Sequence, residues 1–254
     1  MSLDLGPMIL NVKNLKKEFE GRSVLKGIDL EVYRGQIVAL IGSSGSGKST
    51  LLRCINLLEE ISDGQVFLND EDISDPRVNQ DLIRRQIGLV FQAYNLFAHL
   101  SILENITLAL KHVQGLDAET AKAKALALLG RIGLADKADS YPDKLSGGQQ
   151  QRTAIMRAVA LEPKLLLLDE VTSALDPELV GEVLELIRDL KAGGTSILMA
   201  THELTFARDV ADWVVFLDGG VIIEEGPAKE FFNNPQNPRT IEFLTRLRRR
   251  AGDA

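Results

Sequence analysis

QIVALIGSSGSGKSTLLRCINLL, from Gln36 to Leu58, decides how the rest of the chain is read. It opens with a short apolar run, Gln36 to Ile41, then a glycine-rich loop, Gly42 to Thr50. A stripe follows in which Leu51, Leu52, Ile55 and Leu58 share one helical face. Strand, loop and helix in that order are the context that the pattern G-x-x-x-x-G-K-[ST], met here by Gly42 to Ser49, requires. Each residue type has a chemical reason. Gly42, Gly45 and Gly47 let the backbone curl so that N–H groups point inward at phosphate oxygens, and the helix N-terminus adds a favourable dipole. Lys48 neutralises β- and γ-phosphate charge, and the Ser49 hydroxyl suits Mg²⁺. Ser43, Ser44, Ser46 and Thr50 complete the cradle. The bland alternative, a flexible loop with a solvated lysine, leaves the flanking strand and helix unexplained.

Outward from this core, residues 8–41 read as strands, with Gln65 to Leu68 and Ile87 to Phe91 as further candidates. The stretch from Ser101 to Leu161 is mostly helical. LLLLDE, Leu165 to Glu170, is a buried strand, because a central parallel strand is apolar on both faces. Glu178 to Lys191 is an amphipathic helix and Thr195 to Ala200 another buried strand. Trp213 to Leu217 and Val221 to Glu225 flank Asp218-Gly219-Gly220, a hairpin signal. The tail from Pro227 is helical, with Arg246, Arg248, Arg249 and Arg250 reading as a basic, solvated face, the alternative being a weak contact with anionic lipid. Strands alternating with helices imply a parallel α/β core, with the middle helical stretch, about residues 93–161, as an inserted subdomain.

Asp169 and Glu170 close the run of four leucines at the carboxyl edge of the sheet, where α/β ligands bind. Asp169 is placed to hold Mg²⁺ through water and Glu170 to act as general base on an attacking water. Alone, these acids read equally as the strand's exit to solvent; the phosphate loop upstream favours the chemistry. A second anion cradle follows from LSGGQ, Leu145 to Gln149, which precedes a helix. Ser146 and Gln149 fit a plain capping box. Gly147 and Gly148 in the first turn each cost about 1 kcal/mol relative to alanine, which a cap alone does not explain, whereas small residues let a phosphate approach the helix end.

With LSGGQ ahead of LLLLDE and both downstream of the phosphate loop, the chain resembles ABC ATPase domains over nearly its whole length. The resemblance implies a P-loop NTPase (RecA-like) core with a parallel sheet, an antiparallel β subdomain and the inserted helical subdomain. It implies ATP binding and hydrolysis with Mg²⁺. Phe19 falls where the family stacks an aromatic on adenine. Gln92, in VFQ, matches the Q-loop glutamine, which senses Mg²⁺ and couples to the membrane partner; Ser173 to Asp176 matches the D-loop. His202 matches the switch histidine that contacts the γ-phosphate. It also implies two chains facing head to tail, with Ser146, Gly147, Gly148 and Gln149 covering ATP on the neighbour's Gly42–Thr50 loop. Taken singly, Phe19 reads as core and His202 as a helix-cap histidine; their joint order favours the functional assignment.

NLFAHLSILENI (Asn95 to Ile106), THELTFARDVAD (Thr201 to Asp212) and FFNNPQNPRTIEFL (Phe231 to Leu244) are similar to the polar amino-acid uptake branch of bacterial importers. That implies integral-membrane permease subunits as partners, an extracytoplasmic solute-binding protein acting indirectly, and a peripheral position on the cytoplasmic face of the cell membrane. Three positions depart from the family's pattern: Val171 replaces a proline after the acidic pair, Ala98 a proline after the Q-loop, and Asp63 a serine before Gly64.

The bulk properties agree. A chain of 254 residues with 45% hydrophobic residues suits one domain with a subdomain. A net charge of -7 argues against nucleic-acid binding. The single cysteine, Cys54, forms no internal disulfide and reads as a small buried apolar residue on the helix after the loop. No run approaches the roughly 20 apolar residues of a membrane span, and the N-terminus lacks a signal-peptide pattern. His99 and His112 lack a metal spacing. Rival readings are a soluble ABC ATPase acting on DNA or the ribosome, a motor for a cell-wall or division complex, an importer of another solute, and a non-catalytic nucleotide sensor. The stretch between the two cradles is too short for the coiled-coil arms of DNA-repair relatives, and ribosome-acting relatives carry two ATPase domains per chain.

Overall fold

The computed structural model describes residues 6–251, apart from the side chains at 177 and 248–251, so Arg248, Arg249 and Arg250 of the basic cluster lie outside the described side chains. Arg246 is within them and donates to Glu242 at 2.7 Å. The chain forms two compact units. One holds the chain up to Gln80 and from Ser196 onward; the other is Asp81–Thr195.

In the first unit, β1 (Met8–Phe19) and β2 (Arg22–Tyr33) pair antiparallel. Glu20 and Gly21, at φ 48° and 79°, make the tight turn between them. β3 (Ile37–Ile41) is buried at all five positions, as the apolar run predicts. α1 (Lys48–Ile55) follows the glycine-rich loop. The predicted face running on to Leu58 is shortened: the helix ends at Ile55, Leu57 has φ 58°, and Leu58 turns out to 47% exposure. β4 (Asp63–Leu68) pairs with β1, and β5 (Glu71–Asp72) with β4, giving an antiparallel sheet in the order β2-β1-β4-β5. Asp63, the residue that departs from a serine, accepts from its neighbour Gly64 N at 2.9 Å and pairs with Lys16 at 2.8 Å.

The second unit begins with α2 (Gln80–Arg84), then β6 (Ile87–Val90). α3 (Ile102–His112), α4 (Ala118–Arg131) and α5 (Gly147–Val159) follow, with 3₁₀ turns at Ala135–Lys137 and Pro142–Lys144. Local caps start these helices. Ser101 and Glu104 satisfy each other's backbone N–H groups at α3, and Asp117 accepts from Glu119 N and Thr120 N at α4. β7 (Leu165–Asp169), fully buried, runs parallel to β6, and α6 (Pro177–Ala192) completes the unit.

The chain re-enters the first unit as β8 (Ser196–Ala200), α7 (Leu204–Val210), β9 (Trp213–Asp218), β10 (Val221–Pro227), α8 (Ala228–Asn233) and α9 (Pro238–Ala251). β3 lies between β8 and β9 and is parallel to both. β10 turns back antiparallel on β9 through Gly219 and Gly220, at φ 57° and 86°, as the Asp-Gly-Gly signal predicts. The unit therefore holds a parallel set with one antiparallel edge beside its antiparallel sheet. Among the described residues no helix is long and apolar enough to cross a membrane.

Candidate functional site

The glycine-rich loop leaves the carboxyl end of β3 and closes on itself. Gly42 has φ 155°, and a Cβ there would lie 2.1 Å from the Leu217 carbonyl oxygen, so no other residue fits without moving β9. Gly47, at φ 110°, sits at the N-cap of α1, and no side chain caps the helix there. The first turn is thus left to backbone N–H groups, the arrangement that receives an anion. The Lys48 ammonium, 4% exposed, is folded back onto the carbonyls of Gly42 at 3.0 Å and Ser43 at 3.3 Å. Ser46 is 3% exposed, and its hydroxyl has no hydrogen-bond partner among the described residues. A cradle that a Cβ would fill, an uncapped helix start and a buried ammonium fit a polyphosphate. Ser44 and Gly45 form the exposed crown of the loop, and Ser49 and Thr50 continue into α1.

The loop is held from outside by residues that the motif does not contain. The Ser43 hydroxyl donates to Asp218 Oδ1 at 3.0 Å, and Arg239 Nε donates to Asp218 Oδ2 at 2.7 Å. Arg239 chiefly, with Ser43 adding, keeps the Asp218 carboxyl below its usual range against the opposing effect of burial. The sequence marked Asp218 only by its place in the hairpin and Arg239 only by its place in the segment Phe231 to Leu244; neither signal pointed to the loop. Elsewhere in this unit, Phe19 stands 40% exposed at the end of β1, with the Lys17 ammonium 4.5 Å from its ring centre. Phe19 is therefore not core, which removes its bland reading. His202 is exposed, one residue ahead of Glu203, the N-cap of α7.

In the second unit, Asp169 ends β7 at 4% exposure. Glu170 lies just outside the strand at φ 49°, a left-handed conformation that costs a non-glycine residue about 1 kcal/mol. Its carbonyl accepts from the Ser173 N at 3.0 Å and hydroxyl at 2.8 Å. Val171 fills the turn at 2% exposure in place of the family's proline. Asp176 is the N-cap of α6, yet its side chain makes no cap bond. Gln92 is exposed in the loop after β6.

LSGGQ forms the capping box that its sequence allows. The Ser146 hydroxyl accepts from Gln149 N at 3.4 Å, and Gln149 Oε1 accepts from Ser146 N at 3.1 Å. The two glycines also have a packing reason that the sequence did not show. A Cβ on Gly147 would meet the Tyr94 hydroxyl at 2.8 Å, and one on Gly148 would meet Leu179 Cβ at 3.2 Å. The Gln92 loop is clamped to the same helix: Arg157 Nη1 donates to the Asn95 carbonyl at 2.7 Å, and its guanidinium lies 5.5 Å from the Phe97 ring centre. Fully buried Asn105 holds the other end. It accepts from Phe97 N at 2.8 Å and donates to the carbonyls of Phe97, Leu100 and Ser101. Asn105 falls in the segment Asn95 to Ile106 and Arg157 in none that the sequence singles out; in both cases only the packing reveals the partners.

The ABC transporter family matches residues 25–173. The chain is 49% identical over 224 residues to the glutamine transport ATP-binding protein GlnQ of Geobacillus stearothermophilus, covering 88% of this chain and 93% of that protein. It is 52% identical over 244 residues to the L-cystine transport system ATP-binding protein TcyN of Escherichia coli (strain K12), covering 94% and 98%. Its fold is similar to the dimeric structure of MJ0796, a bacterial ABC transporter cassette, with a TM-score of 0.78 and 33% identity over 87% of this chain and 99% of that one. A second structure of that cassette, dimeric and bound to ADP and Pi, gives a TM-score of 0.77. The loop at Gly42–Thr50, the acidic pair at the end of β7 and the glycine-started helix α5 thus stand in a chain that belongs to the ABC transporter family.

Proposed function

We propose that this chain is the ATP-hydrolysing motor subunit of an importer for a polar amino acid, working at the cytoplasmic face of a membrane. The carrying observation is the built phosphate cradle: Gly42 locked under Leu217, Lys48 buried against the loop and α1 left without a side-chain cap. The amino-acid branch is supported by relatives whose names assign them to glutamine and L-cystine transport.

The residues take these roles. Phe19 stacks on the adenine with the ring face that Lys17 leaves. Gly42, Ser43, Ser44, Gly45, Ser46, Gly47, Lys48, Ser49 and Thr50 cradle the phosphates, Lys48 supplying the charge. Mg²⁺, when bound, neutralises charge on the β- and γ-phosphates. The oxygens of Ser49, Asp169 and Gln92 are the donor type it takes. Glu170 accepts a proton from the attacking water, whose oxygen bonds to the γ-phosphorus as the bond to the β–γ bridging oxygen breaks and ADP leaves. His202 donates to the γ-phosphate, where charge develops. Ser146, Gly147, Gly148, Gln149 and Asp176 act on ATP held by a second copy of the chain. ATP drives that closure because the closed pair gives it contacts that the open pair lacks. The membrane partners are permease subunits that follow the motion, with an extracytoplasmic solute-binding protein delivering solute to them.

The test is recovery of the tagged chain from solubilised membranes of its own cell. A small polytopic permease should co-purify, and the binding protein that serves it should take a polar amino acid. Ribosomal, DNA-associated or cell-wall partners in its place would leave the ATPase chemistry standing and overturn the import reading.

A further inference from the structure

Within the first unit a cleft of about 600 Å³ opens between the β1–β2 hairpin and the β9–β10 hairpin. That volume is in the range of small-ligand sites, about 300–1,000 Å³. Its lining includes two aromatic rings, Tyr33 and Trp213, and three carboxylates, Asp29, Glu31 and Glu225. None of the residues used above for ATP lines it.

The lining carries three carboxylates against one cation. Among the described residues, none of the three carboxylates makes a salt bridge. Asp29 accepts only a backbone N–H, from Asn14 at 2.9 Å, and Glu31 accepts the Tyr33 hydroxyl at 2.6 Å. Lys13 is the cation in the lining, but its ammonium lies over the Phe67 ring, 4.9 Å from the centre. Burial, then the like charges of Glu31 and Asp29, push the Glu225 carboxyl above its usual range against an opposing contribution from Trp213. Placing a positive charge there would relieve both effects. A donor points the same way: Gln36 is 6% exposed and lines the cleft, and its Oε1 accepts from Tyr33 N at 3.0 Å. Its amide nitrogen has no partner among the described residues.

We propose that this cleft binds a small organic cation, an ammonium or guanidinium compound of amino-acid size that also carries a hydrogen-bond acceptor. The carboxylates supply charge, Trp213 and Tyr33 supply the ring faces that attract organic cations, and the Gln36 amide nitrogen meets the acceptor. Among the described residues no group of His, Cys, Asp and Glu side chains is arranged to hold a metal ion, so the carboxylates are not set for a bare divalent cation.

Trp213 is the one tryptophan in the sequence, so its emission reports this cleft directly. The full chain is titrated at constant ionic strength with arginine, and in parallel with citrulline, its neutral counterpart. Arginine should give a saturable change in Trp213 emission, with citrulline at least about tenfold weaker. Glu225→Gln and Glu31→Gln should each weaken arginine binding at least about tenfold. Asp63→Asn, which removes an acid that does not line the cleft, should leave it unchanged. ATP binding, unaltered in all three variants, confirms that each is folded. A response that does not saturate, an equal response to citrulline, or full arginine binding in both Gln variants would overturn the proposal. None of these outcomes depends on whether the chain serves an importer.

Discussion

Glu170 shows how a single residue can be legible in type and illegible in conformation. Its identity and its place after four leucines follow from the sequence, but its left-handed backbone does not. The strain is held by two hydrogen bonds from Ser173 to its carbonyl. Such held strain is common where a side chain must be aimed. With Glu170 as the base, Glu170→Gln should lower steady-state phosphate release at least about 100-fold while ATP binding stays within a few-fold. Full turnover in that variant would remove Glu170 from the role. Cys54 gives a residue-scale test of packing. It is fully buried, and burial, with Glu59 adding and Lys17 opposing, pushes its thiol up to about 12. An unfolded cysteine ionises near about 8.5. The native chain therefore keeps a proton that the unfolded chain loses as pH rises above that value, so this contribution to stability is full below about pH 8.5 and falls from there towards 12. Denaturant melts at pH 8 and pH 10 should show a steeper loss in the wild type than in Cys54→Ala. At pH 8 a thiol reagent should label the native chain only as fast as it opens.

At the scale of elements, α5 joins two loops that the sequence presents separately. Its N-terminus carries the glycines of LSGGQ, and its far end carries Arg157, which grips the loop after Gln92. Tyr94 in that loop packs back against Gly147. Replacing Arg157 with methionine keeps much of the apolar stem but leaves the Asn95 carbonyl without its charged donor, a loss of about 2 kcal/mol. Urea unfolding should show that loss as a lower midpoint with an unchanged slope; an unaltered midpoint would mean that the clamp contributes nothing. Ser146→Arg tests the other end. It should cripple hydrolysis while leaving nucleotide binding to the isolated chain largely intact, since the proposal gives this helix start to the neighbour's ATP. Nucleotide binding lost along with hydrolysis would count against that arrangement.

At the scale of the whole molecule, the two glycine-rich motifs belong to one chain but, on the proposal, serve two different nucleotides. Mixing makes that testable. A Lys48→Ala chain and a Ser146→Arg chain should each be nearly inactive alone. Mixed, they form some pairs in which the intact Lys48 of one meets the intact Ser146 of the other, so activity should rise clearly above the sum of the two. No gain on mixing, with pairing shown by size, would mean that each chain's two cradles act on its own ATP.

Legible from residue order alone were the strand, loop and helix around Gly42–Thr50, the acids at the end of β7 and the β9–β10 hairpin. These signals are local: they rest on residue type at short spacing, and a backbone turn or an apolar run leaves its mark within a few positions. Helix ends were less legible, as Leu58 shows, because a pattern of apolar residues does not record where the backbone leaves the helix. Only the tertiary structure decided what holds the site. Asp218 and Arg239 brace Ser43, Leu217 forbids a side chain at Gly42, and Asn105 and Arg157 pin the Gln92 loop. Asp218 and Ser43 are 175 positions apart, and Arg157 and Asn95 are 62 apart. Partners so far apart in the chain leave no spacing to read, since only the packing of elements brings them within hydrogen-bonding reach.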